Sequence, residues 1–262
     1  MDNRLGAQYY TLRDTCTTLE DFAETCRKVS EIGYKTVQLS GIGDFEAKDI
    51  KPILDLYNLE VVCTHRPPMN YLDNIEKEID YHKILDCKIA GIGGGGAFFK
   101  WDSPETLAES VDAFIDKFIP VIDTLHKNGL VFGYHNHHFE FTRFGGIQPM
   151  EEILKKLDAD KFKFILDVYW IAVTGMNPAK FIKEHKDRIA CVHFKDIAMN
   201  PLKPSEVTMF EIGYGNLDWD EIIEACEEAN VQYALVEQDT CQRDPFESIK
   251  MSYDFLKGKG FI

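Results

Sequence analysis

Eight short apolar segments with strand character recur along the chain, and a stretch with helical periodicity follows each of them. The segments cover residues 5–10, 36–40, 60–64, 88–93, 130–136, 162–167, 189–194 and 232–237. Strands that alternate with helices are parallel, because the chain must return to the same end of the sheet through each helix. Eight such units allow the sheet to close. We therefore predict an α/β fold in which residues 1–262 form a single (β/α)8 TIM-barrel domain.

A doubly wound open sheet is the competing fold. Its nucleotide-binding members carry a G-x-G-x-x-G motif in the first strand-to-helix turn, and this chain has none there. The glycine run 93–96 comes too late in the chain and lacks a following Lys-Ser/Thr pair. We interpret this run as a flexible loop after the fourth strand, with a phosphate-binding nest as the alternative.

Composition narrows the class of partner and the compartment. A net charge of −15 disfavours nucleic acid, whose affinity for proteins depends on clustered Lys and Arg. The first 13 residues have no apolar core typical of a signal peptide, and no run reaches the roughly 18 apolar residues of a membrane span. The seven cysteines have irregular spacing and no C-x-x-C pair, which favours reduced thiols. We expect a cytoplasmic protein that does not bind membranes.

Acidic and imidazole side chains end several of the predicted strands. Asp167, His193 and Glu237 each follow three apolar residues. A lone carboxylate at the end of an apolar run is costly to bury unless a cation neutralises it. A barrel brings the carboxyl ends of all its strands to one mouth, so these three side chains are expected to meet there. Carboxylate oxygens and imidazole nitrogen suit a divalent Mn, Mg, Co or Zn ion.

A fourth ligand is expected from the fifth strand, where two choices exist. His135 and His137 share one face of that strand, and Glu140 follows in the loop. A loop carboxylate can turn back over the mouth, and two carboxylates on opposite sides of a bound sugar can act as base and acid. We choose Glu140 as the fourth ligand and keep His135 as the alternative.

Several motifs resemble those of one known family. The chain is similar to the sugar phosphate isomerases/epimerases, which are xylose isomerase-like TIM barrels. The His-Asn-His variety seen here is also similar to inosose dehydratases and to enzymes that process keto-glycosides. The matching segments are Tyr-His-Asn-His-His-Phe-Glu-Phe at 134–141, Leu-Asp-Val at 166–168, Val-His-Phe-Lys-Asp at 192–196, Gly-Tyr-Gly-Asn-Leu-Asp-Trp at 213–219 and Val-Glu-Gln-Asp at 236–239.

The resemblance implies a metal-dependent enzyme of carbohydrate metabolism. Glu140, Asp167, His193 and Glu237 would bind one divalent ion, with manganese preferred over Mg, Co and Zn. Glu140 and Glu237 would be the catalytic pair that exchanges a proton beside a substrate carbonyl. Two departures from the family pattern concern the site. His135 stands where many relatives have Glu, and Trp170 stands where many have His, so specificity for an open-chain ketose is not carried over.

Five side chains near the predicted mouth are candidates for substrate binding. Trp170 offers a flat face to a sugar ring, and Lys195 shares the strand parity of His193, which would let it bind a substrate oxygen or phosphate. The full set is His65, His135, His137, Trp170 and Lys195.

The leading functional hypothesis is an isomerase or epimerase that acts on a sugar or cyclitol by proton transfer next to a carbonyl. A lyase or dehydratase acting on an inosose or a 3-keto-glycoside uses the same machinery and is the alternative. Two other classes are weighed against these: an apurinic endonuclease, which the acidic charge disfavours, and a catalytically silent barrel associated with an oxidoreductase. A homo-oligomer is compatible with the sequence.

Overall fold

Eight parallel strands close into a barrel, which confirms the predicted fold. The computed structural model describes residues 1–262. The barrel strands are β1 (Leu5–Gln8), β2 (Thr36–Leu39), β3 (Glu60–Thr64), β4 (Ile89–Ile92), β5 (Val131–His135), β6 (Phe162–Asp167), β7 (Ile189–Phe194) and β10 (Tyr233–Val236). Neighbours in sequence are neighbours in the barrel, and β10 closes it by pairing with both β7 and β1.

Ten α-helices and an antiparallel hairpin complete the fold. The helices are α1 (Leu19–Ile32), α2 (Ala47–Leu56), α3 (Pro68–Asp73), α4 (Ile75–Ile84), α5 (Pro104–Lys127), α6 (Pro149–Lys156), α7 (Val168–Val173), α8 (Pro178–Glu184), α9 (Trp219–Glu228) and α10 (Pro245–Lys257). The hairpin pairs β8 (Asp196–Asn200) with β9 (Lys203–Phe210) and extends the loop after β7. Short 3-10 helices follow β1, β4 and β5 at Tyr9–Thr15, Gly96–Phe98 and Phe139–Phe141.

Helix boundaries follow from capping residues that the sequence displays. The Thr18 side chain accepts a hydrogen bond from the backbone N–H of Asp21 and begins α1, as such residues do at N-caps. Gly33 ends that helix with φ 127°, a conformation that favours glycine. Ser103 caps α5 directly before a proline, which needs no hydrogen-bond partner at that position.

Strand alternation divides the apolar residues into two layers. Outward-facing residues such as Phe132, Phe164 and Val192 belong to the main core, which lies between the strands and the helices. A smaller cluster lies inside the barrel: Val62, Cys63, Ile89, Ile165, Ala190, Cys191 and Leu235. Val62 and Ala190 join it next to Cys63 and Cys191 because the strand register shifts at these two residues and interrupts the alternation. This inner cluster fills the barrel below the level of the polar strand ends.

Two glycines make room for the inner cluster. A Cβ atom at Gly91 would lie 2.5 Å from the Ile165 Cδ1 atom, and one at Gly133 would lie 2.7 Å from it. The Ile165 side chain therefore occupies space that side chains from β4 and β5 would otherwise take. A Cβ at Gly91 would also lie 2.3 Å from the backbone oxygen of Thr64, so that strand cannot move aside easily.

Asp196 organises the loop between β7 and α9, which the strand-helix alternation alone did not predict. Its carboxylate accepts hydrogen bonds from the backbone N–H groups of Gly213, Gly215 and Leu217 and from the indole N–H of Trp219. One buried acid thus fixes the segment 213–219. All seven cysteines are free, and six of them are buried. No helix has the length and apolar character needed to cross a membrane.

Candidate metal centre

The last inward-facing position of most barrel strands carries a polar side chain. In β6 and β7, Ile165 and Cys191 belong to the inner apolar cluster, and two residues later Asp167 and His193 face the same way. Similar spacing relates Leu235 to Glu237 after β10. The resulting polar layer consists of Gln8, Gln38, His65, His135, Asp167, His193 and Glu237.

Four residues of this layer could hold a metal ion. The side chains of His135, Asp167, His193 and Glu237 each offer one ligand atom, and these atoms lie within 4.8 Å of one another. All four residues are buried. Three of them, Asp167, His193 and Glu237, were expected from the sequence. The fourth is His135, the alternative considered for the fifth strand.

Hydrogen bonds fix which nitrogen of each imidazole is free. His135 Nδ1 lies 3.3 Å from the Ile165 carbonyl oxygen. A carbonyl oxygen can only accept a hydrogen bond, so Nδ1 carries the proton. The other ring nitrogen, Nε2, therefore presents a lone pair, 4.0 Å from the Asp167 carboxylate. His193 Nε2 donates to Gln38 Oε1 over 2.7 Å, which leaves its Nδ1 unprotonated and 2.8 Å from Glu237 Oε2. Two facing lone pairs repel unless a cation lies between them. The donor set therefore fits a divalent ion.

Surrounding groups hold both carboxylates in place. Gln8 Nε2 donates to Glu237 Oε1 over 2.9 Å. Asp167 Oδ1 accepts from the backbone N–H groups of Tyr169 and Trp170 at the start of α7, so its Oδ2 remains directed at the cluster. Outer partners of this kind orient metal ligands in proteins.

Lys195 lies inside the cluster and not at the surface. Its Nζ is 3.2 Å from Asp167 Oδ2, 3.3 Å from Glu237 Oε2 and 2.7 Å from Asp239 Oδ1. Burial by itself would lower the pKa of this ammonium, but the three carboxylates raise it. With all three acids ionised, one ammonium leaves two negative charges, which the two positive charges of a divalent cation would balance.

The two carboxylates at the centre differ in proton affinity. Burial raises the pKa of Asp167 to about 7, although Lys195 opposes this effect. Burial would likewise raise the pKa of Glu237, but the ammonium of Lys195 holds it well below its usual value. Glu237 is therefore the more firmly ionised of the two.

The structure does not bring Glu140 to the four-residue cluster. The tight turn Phe139–Phe141 directs its carboxylate back toward the strand it follows. There it accepts hydrogen bonds of 2.8 Å from the Tyr134 hydroxyl and from the backbone N–H of His137. Burial raises the pKa of Glu140 to about 7, while these hydrogen bonds oppose the rise.

Three expected substrate-binding residues border the cluster with unpaired polar atoms. His65 Nε2, His137 Nδ1 and Trp170 Nε1 are buried and have no hydrogen-bond partner. The His65 ring lies 4.8 Å from the His135 ring, and the His137 ring lies 5.4 Å from the Trp170 ring. Burial lowers the pKa of His137 to about 4, so this imidazole is neutral at pH 7. Buried polar groups without partners are uncommon in folded proteins and are often found where a ligand binds.

Four supporting residues were not anticipated from the sequence: Gln8, Gln38, Asn136 and Asp239. Asn136 Oδ1 accepts a hydrogen bond from the backbone N–H of Asp167, and Asn136 Nδ2 donates one to the backbone oxygen of Asp167. These two bonds hold β6 beside β5. The two glutamines lie on the first two strands, for which the sequence predicted strand structure but no site residue. Gln8 and Gln38 lie two residues after Gly6 and Thr36 and therefore share a face of the strand with them. This two-residue spacing could have identified the glutamines from the sequence.

Comparison with known proteins places the chain in a family. Inosose dehydratase from Lacticaseibacillus casei is 22% identical over 86% of this chain and 85% of its own length. A sugar phosphate isomerase/epimerase from Parabacteroides distasonis superposes with a TM-score of 0.79 at 22% identity, over 96% of this chain and 92% of that one. The 3-keto-D-glucoside 4-epimerase from E. coli gives a TM-score of 0.73 at 17% identity, over 97% and 99%.

The family profile described as xylose isomerase-like TIM barrel matches residues 26–258, which is most of the chain. This match includes every residue of the four-residue cluster together with Lys195 and Trp170. The chain belongs to the xylose isomerase-like TIM-barrel family.

Proposed function

We propose that the protein is a metal-dependent isomerase or epimerase that acts on a sugar or cyclitol by proton transfer next to a carbonyl. The observation that carries this proposal is the pairing of two unprotonated imidazole nitrogens with two carboxylates at the barrel mouth. Membership of the family and the sugar-processing names of similar proteins support it.

His135, Asp167, His193 and Glu237 would hold the divalent ion. When bound, such an ion stabilises negative charge on substrate oxygens as a Lewis acid. The chain's own contribution is to keep the ligands in fixed orientations. Gln38 holds the His193 tautomer, and Gln8 holds one oxygen of Glu237.

Glu237 and Glu140 are the proposed proton-transfer groups. Glu237 is held ionised by Lys195, so it is in the protonation state that a base requires. Glu140 has a pKa near 7, which lets it release or take a proton at neutral pH. Gly94 has no side chain, and a Cβ there would lie only 3.4 Å from Glu140 Oε1.

A ring-shaped, oxidised sugar or cyclitol fits the mouth better than an open-chain sugar phosphate. Trp170 supplies an aromatic face, and its unpaired indole N–H can donate to a ring oxygen. His65 and His137 add two neutral imidazoles able to bond hydroxyl groups. Lys195, the residue considered for phosphate binding, is already paired with three carboxylates.

Dehydration of an inosose or a 3-keto-glycoside is the second candidate. Elimination begins with the same proton removal and differs only in that a hydroxyl group β to the carbanion departs. The similarity to inosose dehydratase from Lacticaseibacillus casei over 86% of the chain supports dehydration as this second candidate function.

The test is a panel of substrates incubated with manganese-loaded enzyme in deuterated water. The panel contains free ketoses, ketose phosphates, inososes and 3-keto-glycosides. Deuterium at one carbon of a ring ketone, without loss of water, supports the isomerase or epimerase. Loss of water supports the dehydratase. A strong preference for a ketose phosphate that Lys195→Ala abolishes would restore the sugar-phosphate hypothesis.

A further inference from the structure

A large cavity opens beside the metal centre, over the ends of β2, β3 and β4. Its volume is about 970 Å³, and its lining includes His65, Gly94 and Phe139, which border the polar cluster. The His65 ring lies 4.8 Å from that of His135, a member of the cluster, and Phe139 stacks on His137 at 5.3 Å. A ligand bound at the cluster could therefore extend into this cavity without leaving the protein.

The volume exceeds what a single reacting ring needs. Pockets of about 300–1,000 Å³ hold ligands of drug size. A cavity of about 970 Å³ lies at the upper end of that range. Glycines at 41, 43, 93, 94 and 96 line it and keep it wide. At Gly93, a Cβ atom would meet only His65 Nδ1, at 3.7 Å, so the space beside it is open.

The charges of the cavity do not suit an anionic group. Arg66 is paired with Glu78 through contacts of 3.0 and 3.2 Å, and Lys77 is paired with Glu46 at 3.0 Å. Two further acids, Asp44 and Asp73, line the cavity. A phosphate or carboxylate would therefore meet carboxylates and no unpaired cation. Hydroxyl groups, in contrast, can donate to these carboxylates.

Other lining groups are typical of carbohydrate sites. Phe139 is half-buried and offers one ring face, since its other side stacks on His137. The Tyr81 hydroxyl is buried without a hydrogen-bond partner, although the residue lines the cavity. A hydroxyl-bearing ligand would give this group the partner that it lacks.

We propose that this cavity is a subsite for a second, neutral, hydroxyl-bearing ring joined to the ring that reacts, so that the natural substrate is an oxidised disaccharide and not a monosaccharide. The inference rests on the proposed function, because the reacting ring must lie at the metal centre.

The experiment compares three ligands that share one reacting ring. They are a 3-keto-disaccharide, the matching methyl 3-keto-glucoside, and the 6-phosphate of 3-keto-glucose. Binding to the manganese-loaded protein is measured by calorimetry, and deuterium uptake from solvent is measured in parallel. Ala97→Trp narrows the cavity from an exposed position in the Gly96–Phe98 turn. Ala159→Trp, before β6 at the opposite end of the barrel, is the matched control.

We expect the disaccharide to bind at least tenfold more tightly than the methyl glucoside. Ala97→Trp should remove that advantage and leave the methyl glucoside unaffected, while Ala159→Trp should change neither. Equal affinities in the wild type, or preference for the phosphate, would overturn the subsite. Absence of deuterium uptake with every ligand would reject the proposed function, while the binding comparison would still decide the subsite.

Discussion

Gln38 determines which nitrogen of His193 faces the metal centre. Its Oε1 accepts the Nε2 proton over 2.7 Å, so Nδ1 is left as the potential ligand beside Glu237. The two residues are 155 positions apart in the chain and meet only because β2 and β7 both contribute inward-facing side chains to one level of the barrel.

The first prediction concerns this pair. Gln38→Leu removes the acceptor, so the imidazole loses its fixed tautomer, and metal affinity should fall by about 10–100-fold. Gln38→Glu keeps an acceptor at the same place and should retain most of the affinity. Metal titration with a competing chelator measures both. Equal affinity in the wild type and Gln38→Leu would show that the hydrogen bond does not orient the ligand.

The second prediction separates the two candidates from the fifth strand. His135→Ala should lose most of the bound metal, because its Nε2 belongs to the cluster. Glu140→Gln should keep its metal, because the Glu140 carboxylate is bonded to Tyr134 and to the backbone of His137 instead. Elemental analysis of both variants, with Asp167→Asn as the metal-free reference, makes the comparison. The reverse pattern would restore Glu140 as the ligand.

The third prediction concerns Glu237 as a proton-transfer group. Glu237→Gln has nearly the same volume, and Lys195 retains Asp167 and Asp239 as partners, so the fold should persist. Loss of a general acid or base removes about 10²–10⁴-fold in rate. The rate should be measured at saturating metal, since Glu237 is also a proposed ligand. Circular dichroism and thermal melting check the fold, and a collapsed variant would indicate a structural role.

The fourth prediction concerns pH and stability. The pKa of Glu140 rises from 4.5 in the unfolded chain to about 7 in the folded protein because of burial. The folded state therefore holds this proton more tightly, and the associated stability is present below pH 4.5 and lost as the pH rises through 7. A shift of this size corresponds to about 3 kcal/mol.

Glu140→Gln is neutral at every pH and should lack this dependence. The free energy of unfolding of the variant, minus that of the wild type, should increase as the pH rises from 4.5 to 7. Above pH 7 this difference should stay constant. Urea unfolding at several pH values, with metal removed from both proteins, tests this slope. A constant difference between the two proteins across that range would mean that Glu140 titrates at its ordinary pKa.

The fifth prediction concerns the packing of the barrel floor. Overpacking a core costs about 1–3 kcal/mol. The nearest atoms to the new methyl of Gly133→Ala belong to side chains, those of Ile165 at 2.7 and 3.0 Å and that of Ile89 at 2.9 Å, and side chains can shift more easily than backbone. Gly91→Ala also meets the Thr64 backbone oxygen at 2.3 Å. Gly91→Ala should therefore unfold at a clearly lower temperature than Gly133→Ala. Adding Ile165→Val should recover more of the stability of Gly133→Ala than of Gly91→Ala, because the clash with the Thr64 backbone oxygen remains.

Much of the fold was predictable because the barrel repeats one local pattern. Thr18, Gly33 and Ser103 mark helix ends through capping rules that need only neighbouring residues. The hairpin of β8 and β9 departs from the repeat. Its position depends on Asp196, whose partners lie 17 to 23 residues further along the chain.

The site was predictable where a polar residue ends an apolar strand, as Asp167, His193 and Glu237 do. Choosing between His135 and Glu140 needed the path of the loop, because the turn after β5 decides where a carboxylate five residues from His135 points. Lys195 was expected to face substrate. Strand parity predicts that it faces the mouth, and only the structure reveals that three carboxylates surround it.

The pairing of β1 with β10 joins the two ends of the chain, and Gln8 contacts Glu237 across that seam. The other three potential ligands lie on β5, β6 and β7, which are consecutive neighbours. Glu237 follows β10, which also pairs with β7, so a barrel whose seam has opened would keep all four ligands together and lose only the hydrogen bond from Gln8. Release of metal by heat or denaturant should consequently coincide with the melting of the sheet from β5 to β10, and should not precede it.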